Sequence, residues 1–358
     1  MLISAGLCDH EICIRNNRFI RRKTVIPIQP TRHTTRVLIA ILFVALAPII
    51  VTLTPLALCV AAVIDITTDR SRMAKTRLVA MAVSYVVLES IGILAAFGLW
   101  IATGFGLALD RPWSQRAHAR VQGWWGHAIF ASAHLWLRVR MQVENEGALN
   151  DRPIIIASHH ASFFDALLPT ELLHNSPDTF TRHVLKRQLA WDPCLGIYGH
   201  RRPNHFVERA SATPSNERHQ IESLAATADA HEALVIFPEG TFRSAVNFPR
   251  TMKRFTRTDP DRADRLDLTH TLPPKPGGLL ALMRGAPHAD IVFIGHVGFA
   301  AFGSLRDIAA NVPFTDPVRV RMWRVPRAAF GNDPHKQLIE IDRRWQELDD
   351  WIETQISG

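Results

Sequence analysis

Two long runs of nearly continuous apolar residues, 37–64 and 78–109, lie in the first third of the chain. A helix that crosses a bilayer needs about 20 predominantly apolar residues, so both runs are long enough. Pro48 and Pro55 fall inside the first run. We expect them to kink or break its helix, because each removes an amide donor. The pattern predicts a membrane-embedded helical segment over residues 37–109.

The link between the two runs, residues 65–77, is polar and carries Arg70, Arg72, Lys75 and Arg77. Two crossings would place this link outside, which the preference of Lys and Arg for cytoplasmic loops disfavours. A hairpin that enters only one leaflet would keep every basic cluster in the cytoplasm. Both arrangements remain open here, as does a buried core. Either membrane arrangement puts the rest of the chain on the cytoplasmic face of the inner membrane.

The net positive charge of the chain limits the classes of partner that it could bind. Residues 1–36 are polar and basic without a hydrophobic period, which predicts a disordered arm, and a misplaced start codon is also open. The formal net charge is +8, but the basic residues do not form the stripe with interleaved aromatics that is expected of a nucleic-acid reader. Beside an apolar anchor, anionic membrane lipids are the simpler partner, and we expect no nucleic acid.

Beyond the apolar segment, residues 110–358 alternate between strand-like and helix-like patterns. Apolar runs bounded by turn residues predict buried strands at 153–157, 233–237 and 290–294. Helical patterns cover 165–174, 216–230, 277–284 and the segment from Pro334 onward. This alternation predicts an α/β domain over 110–358, with a mixed, largely parallel sheet flanked by helices. The charged residues 250–265 are predicted to form a surface excursion near the site.

The first chemical signal is a histidine followed five residues later by an aspartate, His160 and Asp165, directly after the first predicted strand. Open α/β sheets bind ligands at the carboxyl ends of their strands. A carboxylate can hold an imidazole in one tautomer and stabilise the imidazolium that forms when the imidazole accepts a proton. Ser162 lies between them, but no Gly-x-Ser-x-Gly elbow surrounds it, so we expect it to cap the following helix or to line the turn.

Two further segments carry groups suited to an anionic substrate. Phe237-Pro238-Glu239-Gly240-Thr241 ends another predicted strand, and its glycine permits a turn that presents amides to an anion. Arg243 follows and could reach a phosphate. Between the two strands, Arg209 follows a loop rich in Pro and Gly, and an arginine there can clamp a phosphate in bidentate fashion. Taken singly, each segment also fits a structural role.

Taken in order, these segments resemble the glycerophospholipid acyltransferase family, whose members include 1-acylglycerol-3-phosphate acyltransferases. The family's first motif, His-x4-Asp, matches His160 and Asp165, and its third motif, Phe-Pro-Glu-Gly-Thr, matches 237–241 in full. The second motif matches Phe206 and Arg209. A Lys-x-Gly element resembles Lys275-Pro276-Gly277. The chain departs from the family in having His159 before the catalytic position, Phe242 before Arg243, and Ile294-Gly295-His296 in the fourth motif.

The resemblance implies transfer of a fatty acyl group from acyl-CoA or acyl-carrier protein to the hydroxyl of a lysophospholipid, 1-acylglycerol-3-phosphate above all. It implies no cofactor and no metal, and membrane lipids as partners. The implied roles are catalytic for His160 and Asp165, and substrate-binding for Arg209, Glu239, Gly240, Thr241 and Arg243. Because an acidic side chain repels a phosphate, we expect Glu239 to orient Arg209, the turn or a glycerol hydroxyl. A different lysophospholipid or glycolipid acceptor, a catalytically silent lipid-binding protein, and a metal-dependent lipid hydrolase are the competing hypotheses. The four cysteines form no Cys-x-x-Cys pair and are expected to be reduced thiols.

Overall fold

A seven-stranded sheet organises the part of the chain that the structure describes, which is residues 33–150, 153–176, 179–207 and 214–357 of a computed structural model. The strands are β1 (Met141–Glu144), β2 (Ile154–Ser158), β3 (Phe180–Lys186), β4 (His205–Val207), β5 (Glu232–Ile236), β6 (Asp290–Val297) and β7 (Val318–Val325). Their order across the sheet is β1-β7-β6-β2-β5-β3-β4. The three strands predicted from apolar runs, β2, β5 and β6, are direct neighbours at its centre.

Strand directions confirm the predicted mixed, largely parallel sheet. The five strands β2 to β6 run in one direction, and each is paired in parallel with its neighbours within that set. β7 is antiparallel to β6, and β1 is parallel to β7, so these two run in the opposite direction. All five residues of β2 and of β5 are buried. Strands buried on both faces read as continuous apolar runs, which is why these two were visible in the sequence.

Helices cover both faces of the sheet. They are α1 (His33–Thr68), α2 (Ala74–Ala102), α3 (Pro112–Ser132), α4 (Leu168–Leu172), α5 (Pro193–Arg201), α6 (Pro214–Ala226), α7 (Asn247–Thr258), α8 (Pro260–Arg265), α9 (Pro276–Gly285), α10 (Leu305–Asn311) and α11 (Pro334–Ser357). Ile154 and Ile156 of β2 pack into a core shared with α1, α2, α3 and α5. Ile155 and Ala157 face the other way, into a core shared with α6, α7, α9 and α11.

Three predicted elements differ from the observed ones. The helix expected over 165–174 is a 3-10 turn, Phe164–Leu167, followed by the short α4. The excursion expected over 250–265 falls largely in two helices, α7 and α8. Of the kink or break expected at Pro48 and Pro55, the break was wrong, because both prolines lie inside the continuous α1.

The N-terminal helices differ in what they contact. By length and composition alone, α1 and α2 could each cross a membrane, which by itself is weak support for crossing. α1 exposes most of its apolar side chains. α2 instead lies along the α/β unit from Arg77 to Ala96, about 28 Å of helix. Two α2 side chains donate to that unit: Arg77 Nη1 to Trp136 O (2.9 Å) and Tyr85 Oη to Asp192 Oδ2 (2.5 Å). In the other direction, α2 accepts from Trp136 Nε1 at Ser84 Oγ (2.8 Å), from Trp125 Nε1 at Glu89 Oε1 (3.0 Å), from Tyr198 Oη at Gly92 O (2.8 Å) and from Arg201 Nη1 at Ala96 O (2.5 Å).

Candidate active site

Three parallel strands end side by side and bring the separate motifs together. His159 and His160 directly follow β2, Glu239 follows β5, and His296 lies near the end of β6. Because β2 pairs in parallel with both β5 and β6, these residues meet at one edge of the sheet. The His159 amide continues the ladder by donating to the Ile294 carbonyl at 2.8 Å. The candidate site therefore lies where an open α/β sheet places its ligands.

The predicted pair of His160 and Asp165 is formed. Nδ1 of His160 lies 2.7 Å from Asp165 Oδ1, and the Asp165 side chain is fully buried. Asp165 Oδ2 accepts from the amides of Ala161 (2.6 Å) and Ser162 (2.8 Å). With Nδ1 donating to the carboxylate, Nε2 of His160 carries the lone pair that a general base needs. Ser162 Oγ accepts from the Phe164 and Asp165 amides at 3.2 and 3.3 Å, which is the capping role expected of it.

His296 is a site residue that the sequence did not indicate. Its Nε2 lies 3.4 Å from Asp165 Oδ2 and 3.1 Å from the His159 carbonyl oxygen. Burial by itself would raise the pKa of Asp165, but the hydrogen bonds and charges of His160 and His296 outweigh it and hold that pKa below its ordinary value. Asp165 is therefore a carboxylate shared by two imidazoles. A histidine inside an otherwise apolar strand, DIVFIGHV, was the available signal.

His159 and Glu239 form a second histidine–carboxyl pair. Nδ1 of His159 lies 2.6 Å from Glu239 Oε1, and both side chains are almost completely buried. Burial lowers the pKa of His159 to about 4 and raises that of Glu239 well above its ordinary value. Both shifts favour the neutral forms, with the Glu239 proton donated to Nδ1. A neutral carboxyl also explains how Glu239 Oε2 can be buried without a described partner.

This geometry bears on the expected role of Glu239, which was to orient Arg209, the turn or a glycerol hydroxyl. At 1% exposure, its carboxyl faces His159 and the interior. The contact ties the turn after β5 to the segment after β2. Its predicted contact with substrate stays a prediction, and the contact that the structure describes is a positioning one.

Gly240 adopts a conformation that favours glycine. Its φ is +68°, and a Cβ built there would lie 2.9 Å from Lys275 Nζ. The Gly240 amide donates to the Phe237 carbonyl at 3.0 Å, and the Lys275 amide donates to the Pro238 carbonyl at 2.8 Å. The turn is therefore tight and brings a lysine ammonium against it, so that positive charge lies beside the predicted anion-binding turn. Thr241 is the half-buried residue that follows.

Arg243 links the third motif to the first through its backbone. Its amide donates to the His160 carbonyl at 3.0 Å. Its guanidinium donates to the Thr269 carbonyl at 2.9 Å and lies 4.5 Å from the ring centroid of Phe248. These contacts direct the side chain towards the protein, and its predicted phosphate contact stays a prediction. Arg209 lies outside the described residues.

Aromatic rings surround the exposed side of His160. The Phe237 and Phe242 rings have centroids 4.8 and 5.8 Å from the imidazole centroid, and the His160 side chain is 10% exposed. Lys186 Nζ lies 6.0 Å from the Phe242 centroid. The surface at the base is therefore apolar, with a cation nearby. Cavities of about 380 and 220 Å³ lie elsewhere, around Phe180 at the amino ends of β3 and β5.

Comparison with known proteins finds a family match for the part of the chain that holds the site. The family model described as Acyltransferase matches residues 140–294, an interval that contains His160, Asp165, Glu239 and Arg243. Residues 140–294 are an acyltransferase domain. This match confirms the family resemblance drawn from the ordered motifs. Among solved structures, the chain is similar to the 1-acyl-sn-glycerophosphate acyltransferase PlsC from Thermotoga maritima, with 18% identity, 72% of this chain and 96% of that chain covered, and a TM-score of 0.42. No curated protein sequence matches the chain.

Proposed function

We propose that this acyltransferase moves a fatty acyl group from an acyl thioester to the free hydroxyl of a lysophospholipid, with 1-acylglycerol-3-phosphate as acceptor and phosphatidic acid as product. The observation that carries the proposal is the 2.7 Å bond from His160 Nδ1 to Asp165 Oδ1 at the carboxyl edge of the sheet. A thioester is already activated. The acceptor hydroxyl is therefore the group that needs a base, and no nucleophilic side chain is required.

The reaction follows from the tautomer that Asp165 imposes. His160 Nε2 removes the hydroxyl proton while the hydroxyl oxygen bonds to the thioester carbonyl carbon. The resulting imidazolium is stabilised by Asp165, whose low pKa keeps it ionised. The carbon–sulfur bond then breaks, and His160 returns the proton to the departing thiolate. A positioned base of this kind contributes about 10²–10⁴-fold to the rate.

Positive charge at the same edge supports an acceptor that carries a phosphate. Lys275 Nζ lies against the Gly240 turn, and Lys186 Nζ lies near Phe242. Arg209, by its place in the second motif, is proposed to clamp the phosphate. We expect Arg209→Ala to raise KM for the phosphorylated acceptor while kcat changes little, measured by varying acceptor at saturating donor. A rise in KM for the acyl donor instead would contradict this assignment.

For membrane association we propose that α1 and α2 form a hairpin that enters one leaflet from the cytoplasmic side of the inner membrane. α2 is bonded along its length to the α/β unit, which leaves it no free path across a bilayer. α1 presents the exposed apolar surface. Both substrates carry acyl chains, and a site at the membrane surface avoids moving each chain into water, at about 0.8 kcal/mol per CH₂.

An acyltransferase assay across acceptors tests the proposal. Purified full-length protein would be given palmitoyl-CoA with 1-acylglycerol-3-phosphate, other lysophospholipids, or glycolipid intermediates. We expect the phosphate monoester to be preferred. His160→Ala should abolish transfer while the protein still reaches the membrane, and His335→Ala, a change at an exposed histidine of α11, should not. Normal turnover by the His160 variant would defeat the mechanism, and a preference for another acceptor would favour the alternative substrate.

A further inference from the structure

One face of α7 carries a row of four basic side chains, Arg250, Lys253, Arg254 and Arg257. Their spacing places them within about 100° of one another around the helix and within about 10 Å along it. All four are exposed, and α7 itself contains no acidic residue. We refer to these four side chains as the basic face of α7.

The opposite face of α7 is fixed to the protein. Phe255 is buried in the core shared with α6, α9 and α11, and Met252 packs against the same core. Phe248, on this same side, stacks beneath the Arg243 guanidinium. Because the apolar side holds the helix, the basic face is presented outward in a fixed orientation rather than on a flexible loop.

No residue in the described ranges forms a salt bridge or side-chain hydrogen bond with any of the four cations. The nearest acid in sequence is Asp259, whose carboxylate accepts from the Arg262 amide at the start of α8. Asp261 and Asp264 follow within α8 and are exposed. These carboxylates offset part of the positive charge of the surrounding surface. None of them forms a hydrogen bond or salt bridge with the four side chains of the basic face. A row of like charges at helical spacing weakens the helix that carries it, so the arrangement is better explained by a partner than by stability.

The basic face lies beside the catalytic edge. Arg243, whose amide bonds to the His160 carbonyl at 3.0 Å, precedes α7 by only three intervening residues. Its guanidinium contacts the first turn of α7 at Phe248. A partner bound to this face therefore lies near the segment that carries the His160–Asp165 pair.

The position of α7 distinguishes between anionic partners. α7 packs on the face of the sheet opposite the one covered by α1, α2 and α3, so its basic face points away from the side that carries the membrane hairpin. A small nucleotide binds in a concave pocket, whereas these cations stand on the convex surface of a helix. A protein with a complementary acidic surface fits both observations.

We propose that the basic face of α7 is the docking surface for an acidic protein that carries the acyl group as a thioester. This inference rests on the proposed acyl transfer and names the class of donor. Rim charges of this kind raise the rate of encounter and make it dependent on salt, because they act before the complex is tightly packed.

The test compares donors in full-length protein. Arg250→Glu with Arg254→Glu reverses two charges on the basic face, and Arg306→Glu with Lys336→Glu makes the same change at exposed positions on α10 and α11. Palmitoyl acyl-carrier protein and palmitoyl-CoA would be the donors, at low and high salt. Binding of fluorescently labelled palmitoyl carrier protein would be followed separately, without acceptor.

For the α7 variant we expect kcat/KM with the carrier-protein donor to fall about 10-fold or more, through KM, and its salt dependence to weaken. Activity with palmitoyl-CoA should change less than about 2-fold, and the control variant should behave as wild type. Carrier binding should weaken in parallel with KM. Absence of turnover with either donor, while carrier binding still depends on α7, would refute the proposed reaction but support the surface.

Three results would overturn the inference. The first is wild-type turnover with palmitoyl-CoA but neither turnover with nor binding of the carrier protein. The second is an equal loss of activity with both donors in the α7 variant. The third is a loss of sedimentation with phosphatidylglycerol vesicles in the α7 variant but not in the control, which would assign the basic face to the membrane.

Discussion

Two neighbouring histidines in this protein have nearly the same geometry and opposite electrostatics. His160 lies 2.7 Å from Asp165, and His159 lies 2.6 Å from Glu239. Asp165 also accepts two backbone amides and faces His296, and its pKa is held low. Among the described residues, Glu239 has only the His160 amide as a backbone donor, which is too weak to offset burial, and burial raises its pKa. One pair is built around an anion and the other around a neutral carboxyl.

The comparison shows that a histidine–carboxyl distance does not by itself identify a base. The two pairs differ instead in the number of hydrogen-bond donors that surround the carboxyl group. A carboxylate with several donors stays ionised and can stabilise an imidazolium, whereas a nearly donor-free one is more stable when protonated. Asp165 therefore stays ionised beside His160, whereas His159, with its pKa near 4, remains neutral.

The largest expected effect comes from Asp165→Asn. The asparagine NH₂ would face at least one of the N–H groups that now donate to Asp165. The neutral side chain also cannot stabilise an imidazolium. We expect kcat to fall by about 10²–10⁴-fold with little change in KM. Steady-state kinetics measures this, with circular dichroism as the control for folding. A loss of less than about 3-fold would mean that Asp165 is not the partner of the base.

A smaller loss is expected from His296→Phe, which keeps the ring and removes the donor to Asp165 and to the His159 carbonyl. Loss of a hydrogen bond to a charged group corresponds to about 10-fold in kcat. His296→Gln, which can retain a donor, should recover part of the rate. The pH dependence of kcat separates this role from simple packing, since removing a donor from Asp165 should shift the apparent pKa of the base. An unchanged profile in the Phe variant would leave His296 a structural residue.

The His159 pair should also be visible in stability. The folded pKa of His159 is about 4, below its ordinary value. Its neutral form therefore contributes stability that is present above about pH 6.5 and is lost as the pH falls from there towards 4. In His159→Asn, the melting temperature should fall less steeply over this interval than in wild type. Identical slopes would contradict a buried neutral His159. Buried His183, whose pKa is lowered to about 3, acts equally in both proteins and cancels in the comparison.

The smallest effect is expected from Glu239→Gln. A neutral Glu239 donates to His159 Nδ1, and a glutamine NH₂ can donate in its place. We expect kcat to change by less than about 3-fold, in contrast to the loss in Asp165→Asn. Measuring both variants in one assay tests the comparison directly. If Glu239→Gln were as damaging as Asp165→Asn, Glu239 would have to be an anion, and the distinction between the two pairs would fail.

The sequence revealed the parts of the fold whose signals are local. β2, β5 and β6 are continuous apolar runs, and α11 repeats its apolar residues at helical spacing. β7 was not predicted, although VRVRMWRV alternates buried and more exposed positions, because its arginines resemble a surface segment. β4 has only three residues, too few to show a period.

In the site, the local pair of His160 and Asp165 was predictable because both residues lie in one motif. The contact between His159 and Glu239 joins residues 80 positions apart, and that between His296 and His159 joins residues 137 apart. Neither separation leaves a pattern along the chain. They become neighbours only because β2 lies between β5 and β6, an order that the sequence did not state.

The bonds between α2 and the α/β unit make this apolar helix a structural component of the acyltransferase domain. Trp125 and the Cys194 amide both donate to Glu89, and Tyr198 donates to the Gly92 carbonyl. A chain shortened to begin at α3 would leave these donors without acceptors and would expose the buried surface of α5. A more soluble variant therefore calls for polar substitutions at the exposed apolar positions of α1, with α2 kept in place.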